Sequence, residues 1–122
     1  MSKIVLAAIA LVAVSWATPA VVAQEAAAGE RLFRQRCGAC HHIATTRNGV
    51  GPHLQGVIGR TAGSVEGFNY SPALRDSGIT WTPETLETYL ANPIAMVRGT
   101  KMVQRFNNVD ERTAIIQFLS SR

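Results

Sequence analysis

The sequence predicts an all-α domain with helices at both ends and long loops between them. Three observations carry this reading. Strong helix formers run from Gln24 to Arg36, and apolar residues recur at helical spacing in two later segments, one opening at Thr82-Pro83 and one spanning Asp110 to Ser121. Between Ile43 and Gly78, six glycines (Gly49, Gly51, Gly56, Gly59, Gly63 and Gly67) interrupt any periodicity. No segment alternates apolar and polar residues as a half-buried strand would.

The elements follow in chain order. Lys3 gives the start a positive charge, Ile4 to Trp16 is apolar and uncharged, and Thr18-Pro19 breaks the run. Val21-Val22-Ala23 then offers small residues before a cut near Gln24, so residues 1–23 read as a secretory signal and 24–122 as one domain. The competing reading is an uncleaved anchor, because Ile4 to Ala23 is about twenty uncharged residues, enough to span a bilayer. Pro19 and the Ala-ended site favour the signal. In the first helix, Leu32 and Phe33 share a face with Gly29, whose cost to helix stability implies a close helix–helix crossing.

Ser71 to Asp76 allows one short helical piece. Thr82 can cap the next helix, Pro83 fits its first turn, and Glu84 and Glu87 suit its positive end. Leu86, Tyr89 and Leu90 form its apolar face, and Asn92-Pro93 stops it. Pro93 to Val97 can start another short helix, and Gly99 to Asn108 is irregular. The last helix turns Ile115, Ile116, Phe118 and Leu119 inward. Loops as long as those here rarely persist in a compact domain unless they wrap something. A domain of about 99 residues buries limited apolar surface, so a large flat cofactor would supply much of its core.

Cys37-Gly38-Ala39-Cys40-His41 names that cofactor. Two thiols three positions apart, followed by an imidazole, form the attachment pattern of a c-type haem. Each thiol adds to a vinyl group, and the next residue is held beneath the macrocycle within reach of the iron. Cys37 and Cys40 are the only cysteines, so the chain holds one such haem. A disulfide between them would close a very small loop and stabilise little. A zinc site would need two further ligands, with His41 too close to Cys40, and a dithiol site would need a βαβ context that is missing.

The candidates for the second axial position are His42, His53, Met96 and Met102. His42 is adjacent to His41 and cannot reach the opposite face, and Met96 sits in an apolar patch where core filling is its default role. Met102 lies in a polar loop 61 residues after His41. An apolar thioether there asks for a reason, and iron ligation is one; His53 stays open as the other candidate. A Met/His pair raises the reduction potential and occupies the site where oxygen or peroxide would bind, so it implies outer-sphere electron transfer.

The formal net charge is +4, and loss of Lys3 leaves +3, mostly arginine spread along the chain. Such a field can steer an acidic protein partner. It is not a nucleic-acid footprint, because no arginine cluster is interleaved with stacking aromatics.

These residues, in this order, resemble class I cytochrome c, near the mitochondrial cytochrome c and bacterial cytochrome c2 branch. The resemblance covers nearly all of residues 24–122. Gly29 and Phe33 match the family's N-terminal helix where it packs on the C-terminal helix, and Phe118 matches the aromatic opposite. Cys37, Cys40 and His41 match the attachment residues. Gly51-Pro52-His53-Leu54 resembles the family's Gly-Pro-Asn-Leu turn, which implies that the Pro52 carbonyl accepts a hydrogen bond from His41 and raises its basicity. Gly59-Arg60, Gly67-Phe68-Asn69-Tyr70 and Gly78-Ile79-Thr80-Trp81 resemble segments around the propionates. The match implies that Tyr70 and Trp81 donate to propionate oxygens and that Arg60 lies near their charge. Tyr89-Leu90-Ala91-Asn92-Pro93 and Gly99-Thr100-Lys101-Met102 complete it, making Met102 the distal ligand with Tyr89 and Thr100 beside its sulfur.

The resemblance implies a small monohaem fold with crossing terminal helices. It also implies a soluble, monomeric periplasmic electron carrier without stable membrane insertion, and not an enzyme. The donor would be a quinol-oxidising complex or dehydrogenase, and the acceptor an oxidase, reaction centre or peroxidase. Two departures stand out. Arg98 replaces the usual Pro, and Val103-Gln104-Arg105-Phe106-Asn107-Asn108 replaces a Phe-Ala-Gly segment, with one residue deleted. The altered loop motivates a second class, a haem enzyme or gas- or peroxide-reactive protein in which Met102 dissociates; a dedicated subunit of one dehydrogenase is a further alternative. The family's lysine ring is absent, since Lys101 is the only lysine after residue 23, and arginine is not its equivalent.

Overall fold

The computed structural model describes residues 13–122. The positive start at Lys3 and most of the apolar run from Ile4 lie outside the described residues. Five helices follow in order: α1 (Pro19–Arg36), α2 (Pro72–Arg75), α3 (Pro83–Ala91), α4 (Pro93–Met96) and α5 (Val109–Ser120). Among the described residues there is no strand, only one isolated antiparallel bridge between Thr61 and Thr80. No described helix is long and apolar enough to cross a membrane.

The first helix begins five residues earlier than the sequence predicts. Pro19 does not break it but opens it: proline lacks an N–H that the first turn leaves unused, and its fixed φ suits a helix start. The last helix also starts one residue early. Its cap is Asn108, whose side-chain oxygen accepts from the N–H groups of Asp110 and Glu111.

The two terminal helices cross. Gly29 and Phe33 are the buried residues of α1, and the Phe33 and Phe118 rings meet at 5.4 Å with a tilt of 45°. Ile115, Ile116, Phe118 and Leu119 are all buried, as their spacing predicts. Against α5 packs α3, burying Leu86, Tyr89 and Leu90.

A capping box sets the start of α3. The Thr82 hydroxyl accepts from the Thr85 N–H at 3.2 Å, and the Thr85 hydroxyl accepts from the Thr82 N–H at 2.8 Å. Glu84 sits in the first turn as expected, and its own N–H and the Thr82 hydroxyl hold its carboxyl below the usual range. Glu87 does not serve the helix end; it faces α5, where Arg112 meets it at 2.6 Å. Thr82→Ala removes half of the box and is expected to cost about 1 kcal/mol, or roughly 4–8 °C in a thermal unfolding curve.

The glycine-rich middle is irregular but anchored. Gly59 donates to Trp81 O at 2.7 Å, Trp81 donates to Arg60 O at 2.9 Å, and Ala62 donates to Ile79 O at 2.7 Å. These bonds tie residues 59–62 to 79–81. Around the core, Leu32, Ile43, Leu54, Ile58, Leu74, Ile79, Met96 and Met102 pack against buried neighbours yet stay only partly buried themselves. The domain thus leaves these apolar side chains half-covered.

Candidate functional site

The site starts where α1 ends. The N–H groups of Cys37 and Gly38 both bond to Phe33 O, at 2.8 and 2.9 Å, so the helix closes at the first thiol. A single further turn, with Cys40 and His41 both donating to Cys37 O at 3.0 Å, brings the second thiol and the imidazole round. Both cysteines are free, Cys37 half-buried and Cys40 exposed. Burial pushes the Cys37 thiol up to about 11, with Arg36 opposing the shift. Among the described residues no group of three or more His, Cys, Asp or Glu side chains could hold a metal ion.

The ring of His41 is fixed from behind. Its Nδ1 lies 2.7 Å from Pro52 O, the geometry of a donated hydrogen bond, which leaves Nε2 with the lone pair. Burial pulls the imidazole below its ordinary pKa, against the Pro52 carbonyl and together with the nearby Arg60 and His42 charges. The turn that presents Pro52 is held by Gly51 N donating to Cys40 O and Gly49 N to Gly51 O, each at 2.9 Å. Gly51 lies flat against the ring, where a Cβ would collide with it. A cavity of about 510 Å³, lined by Phe33, His41, Ile43 and neighbours up to Arg47, opens beside the imidazole.

Arg60 lies near both Tyr70 and Trp81. The Arg60 guanidinium donates to His53 O at 2.9 Å and Gln55 O at 3.2 Å, and it forms no ion pair with a carboxylate of the described residues. Tyr70 is close enough for its hydroxyl to respond to the Arg60 charge; burial raises its pKa against that charge and the Val65 N–H, which donates to it at 3.2 Å. Trp81 shares backbone bonds with Gly59 and Arg60 and packs its ring edgewise on Tyr89 at 5.0 Å.

Farther along the chain, the Tyr89 and Thr100 hydroxyls meet at 2.6 Å, both residues buried, two positions before the half-buried Met102. The other ligand candidates are placed less favourably. His42 points Nε2 towards Arg47 at 3.4 Å. His53 follows Pro52 directly, its N–H bonded to Asn48 Oδ1 at 3.1 Å, so it belongs to the turn that backs His41. Met96 packs against the core from α4, the filler role its sequence context implies.

These groups fit a haem. Two unbridged thiols, an imidazole with a free Nε2, a half-buried thioether, a half-covered apolar surround and an arginine without an acidic partner match its vinyl groups, iron, macrocycle and carboxylates. Two contacts had no signal in the sequence: the ion pair of Glu87 with Arg112, joined across two helices, and the Asn69 carbonyl, which accepts from the Lys101 ammonium at 2.6 Å.

Comparison with known proteins agrees. The Cytochrome c family model matches residues 26–122. The chain belongs to the cytochrome c family. It is 43% identical to a cytochrome c2 of Rhodomicrobium vannielii, over 98% of this chain and 94% of that one. It is 46% identical to cytochrome c 2.1 of Caenorhabditis elegans, over 75% of this chain and 83% of the relative. Among solved structures it resembles cytochrome cH from Methylobacterium extorquens with a TM-score of 0.73 at 42% identity, covering 80% of this chain and 98% of that one. As a cytochrome c it has the small monohaem fold, carries one covalently bound c-type haem, and transfers electrons between redox partners. Cys37 and Cys40 stand in the family's attachment pattern.

Proposed function

We propose that this cytochrome c is a soluble, monomeric periplasmic electron shuttle with His41 and Met102 as axial ligands. Residues 1–23 direct export and are removed. It takes single electrons from a quinol-oxidising complex or dehydrogenase and delivers them to an oxidase, reaction centre or peroxidase. When bound, the haem supplies a one-electron iron couple. Cys37 and Cys40 hold it through thioethers, and the Pro52 carbonyl orients His41 and strengthens it as a donor. Met102 supplies a neutral, soft ligand that favours the ferrous state and closes the iron to external ligands. Tyr89 and Thr100 support that loop, while Arg60, Tyr70 and Trp81 receive the propionates.

The observation that carries this reading is the His41–Pro52 hydrogen bond. It commits Nδ1 and leaves Nε2 for a metal, in the residue that follows the two thiols. A visible spectrum with redox titration of the exported protein tests it, through covalent haem, a ferric band at the red end that reports the Met–iron bond, and a high potential. Met102→Ala is expected to keep the haem attached, lower the potential and open the ferrous iron to CO. Continued inertness to CO in that variant would place the distal ligand elsewhere.

A further inference from the structure

We propose that Arg112 is a positioning residue for Met102, acting from α5 on the far end of the loop that carries the thioether. The proposal rests on the reading of Met102 as axial ligand. That loop has few backbone tethers of its own. At its near end, Thr100 is buried, bonded to Tyr89 through its hydroxyl and to Val97 O through its N–H at 3.1 Å. From Lys101 to Arg105, no N–H donates to a backbone carbonyl of the described residues. The next fixed point is Phe106, which is 0% exposed and donates to Leu90 O at 3.0 Å. Met102 therefore rides on a five-residue span held by its two ends and by two side chains of its own, Lys101 Nζ donating to Asn69 O at 2.6 Å and Arg105 Nε to Ala91 O at 3.4 Å.

The carbonyl at the far end is gripped by one side chain. Arg112, 8% exposed, directs Nη1 to the Phe106 carbonyl at 2.6 Å while Nε and Nη2 reach Glu87 Oε1 at 2.7 and 2.6 Å. One planar fork thus joins α5, α3 and the loop. Arg36 lies over the Phe106 ring, 5.3 Å from its centroid, so the same residue is clasped from the end of α1 that carries Cys37. A lysine at 112 keeps the charge but offers a single point of attachment and cannot serve Glu87 and the carbonyl together.

If the clasp loosens, the loop opens more often, and an external ligand that competes with the thioether gains by the open fraction. The test compares the ferric holoprotein with Arg112→Lys, with Glu87→Gln in case the first folds poorly, and with Leu119→Ala, a buried change about two helical turns further along α5. Imidazole affinity for the iron is expected to rise roughly tenfold in Arg112→Lys, the lower end of what a residue supporting a metal ligand contributes. Glu87→Gln should move it less in the same direction. The red ferric band should weaken, and amides from Val103 to Phe106 should exchange faster. Leu119→Ala should lower Tm and leave imidazole affinity unchanged. Unmoved affinity in both Arg112→Lys and Glu87→Gln, with a normal band in the wild type, overturns the proposal alone. A wild-type protein without that band overturns the Met102 reading and the proposal with it.

Discussion

Gly29→Val is expected to be among the most destabilising single substitutions in the protein. A Cβ at that position would sit 2.5 Å from the Ala114 carbonyl oxygen and 2.9 Å from the Phe118 Cβ. The first of these is backbone in the middle of α5 and cannot swing aside. The helices must part, and the Phe33–Phe118 contact parts with them. Overpacking of this kind costs about 3 kcal/mol or more, which in a domain near 100 residues corresponds to roughly 12–24 °C in Tm. Gly29→Ala sharpens the test. At a free helix position alanine gains about 1 kcal/mol over glycine. Here the added methyl meets the same carbonyl, so the sign inverts and thermal unfolding of the holoprotein should fall. A raised Tm in Gly29→Ala would mean that the helices do not approach this closely.

The crossing was legible in the sequence because it is local chemistry: a glycine three and four residues before Leu32 and Phe33, and an apolar stripe in the last helix. The helix ends were less legible. Pro19 is ambiguous, since proline both stops a helix and starts one, and only the downstream residues decide. Asn108 hid because Asp110 offered an equally good start. Arg112 could not be found at all, since an arginine in an amphipathic helix reads as solvated and its partner Glu87 is 25 residues away on another helix. Between Met102 and His53 the residues alone left both open, since both lie in polar loops, and only the resemblance favoured Met102; the structure adds that His53 belongs to the turn whose Pro52 carbonyl backs His41. Arg60, Tyr70 and Trp81 were grouped by resemblance alone, because the loops carrying them have no periodicity. Backbone bonds between residues 59–62 and 79–81 join Arg60 to Trp81, and Tyr70 is tied in only through its hydroxyl, which accepts from Val65 N–H and feels the Arg60 charge.

Gly51→Ala is expected to have the largest effect on the site itself. Its Cβ would lie 2.7 Å from His41 Nδ1 and 2.8 Å from Nε2, well inside contact distance. The turn cannot retreat, because Gly51 is bonded through its N–H to Cys40 O and through its carbonyl to Gly49 N. The imidazole must therefore rotate away from Pro52, and its Nδ1 loses the only acceptor that fixes the ring. Cys37 and Cys40 are untouched, so the protein should stay red after denaturation. The expected result is a weakened or broken His41–iron bond: partial loss of the low-spin spectrum and CO binding to the ferrous form. Gly56→Ala supplies the control. At φ +65° with nothing within 4 Å, it adds backbone strain without steric conflict. That strain costs about 1–2 kcal/mol of stability and should leave the spectrum unchanged. If Gly51→Ala behaves like Gly56→Ala, the ring is not confined by that turn, and the hydrogen bond from His41 to Pro52 does not govern the iron's proximal side.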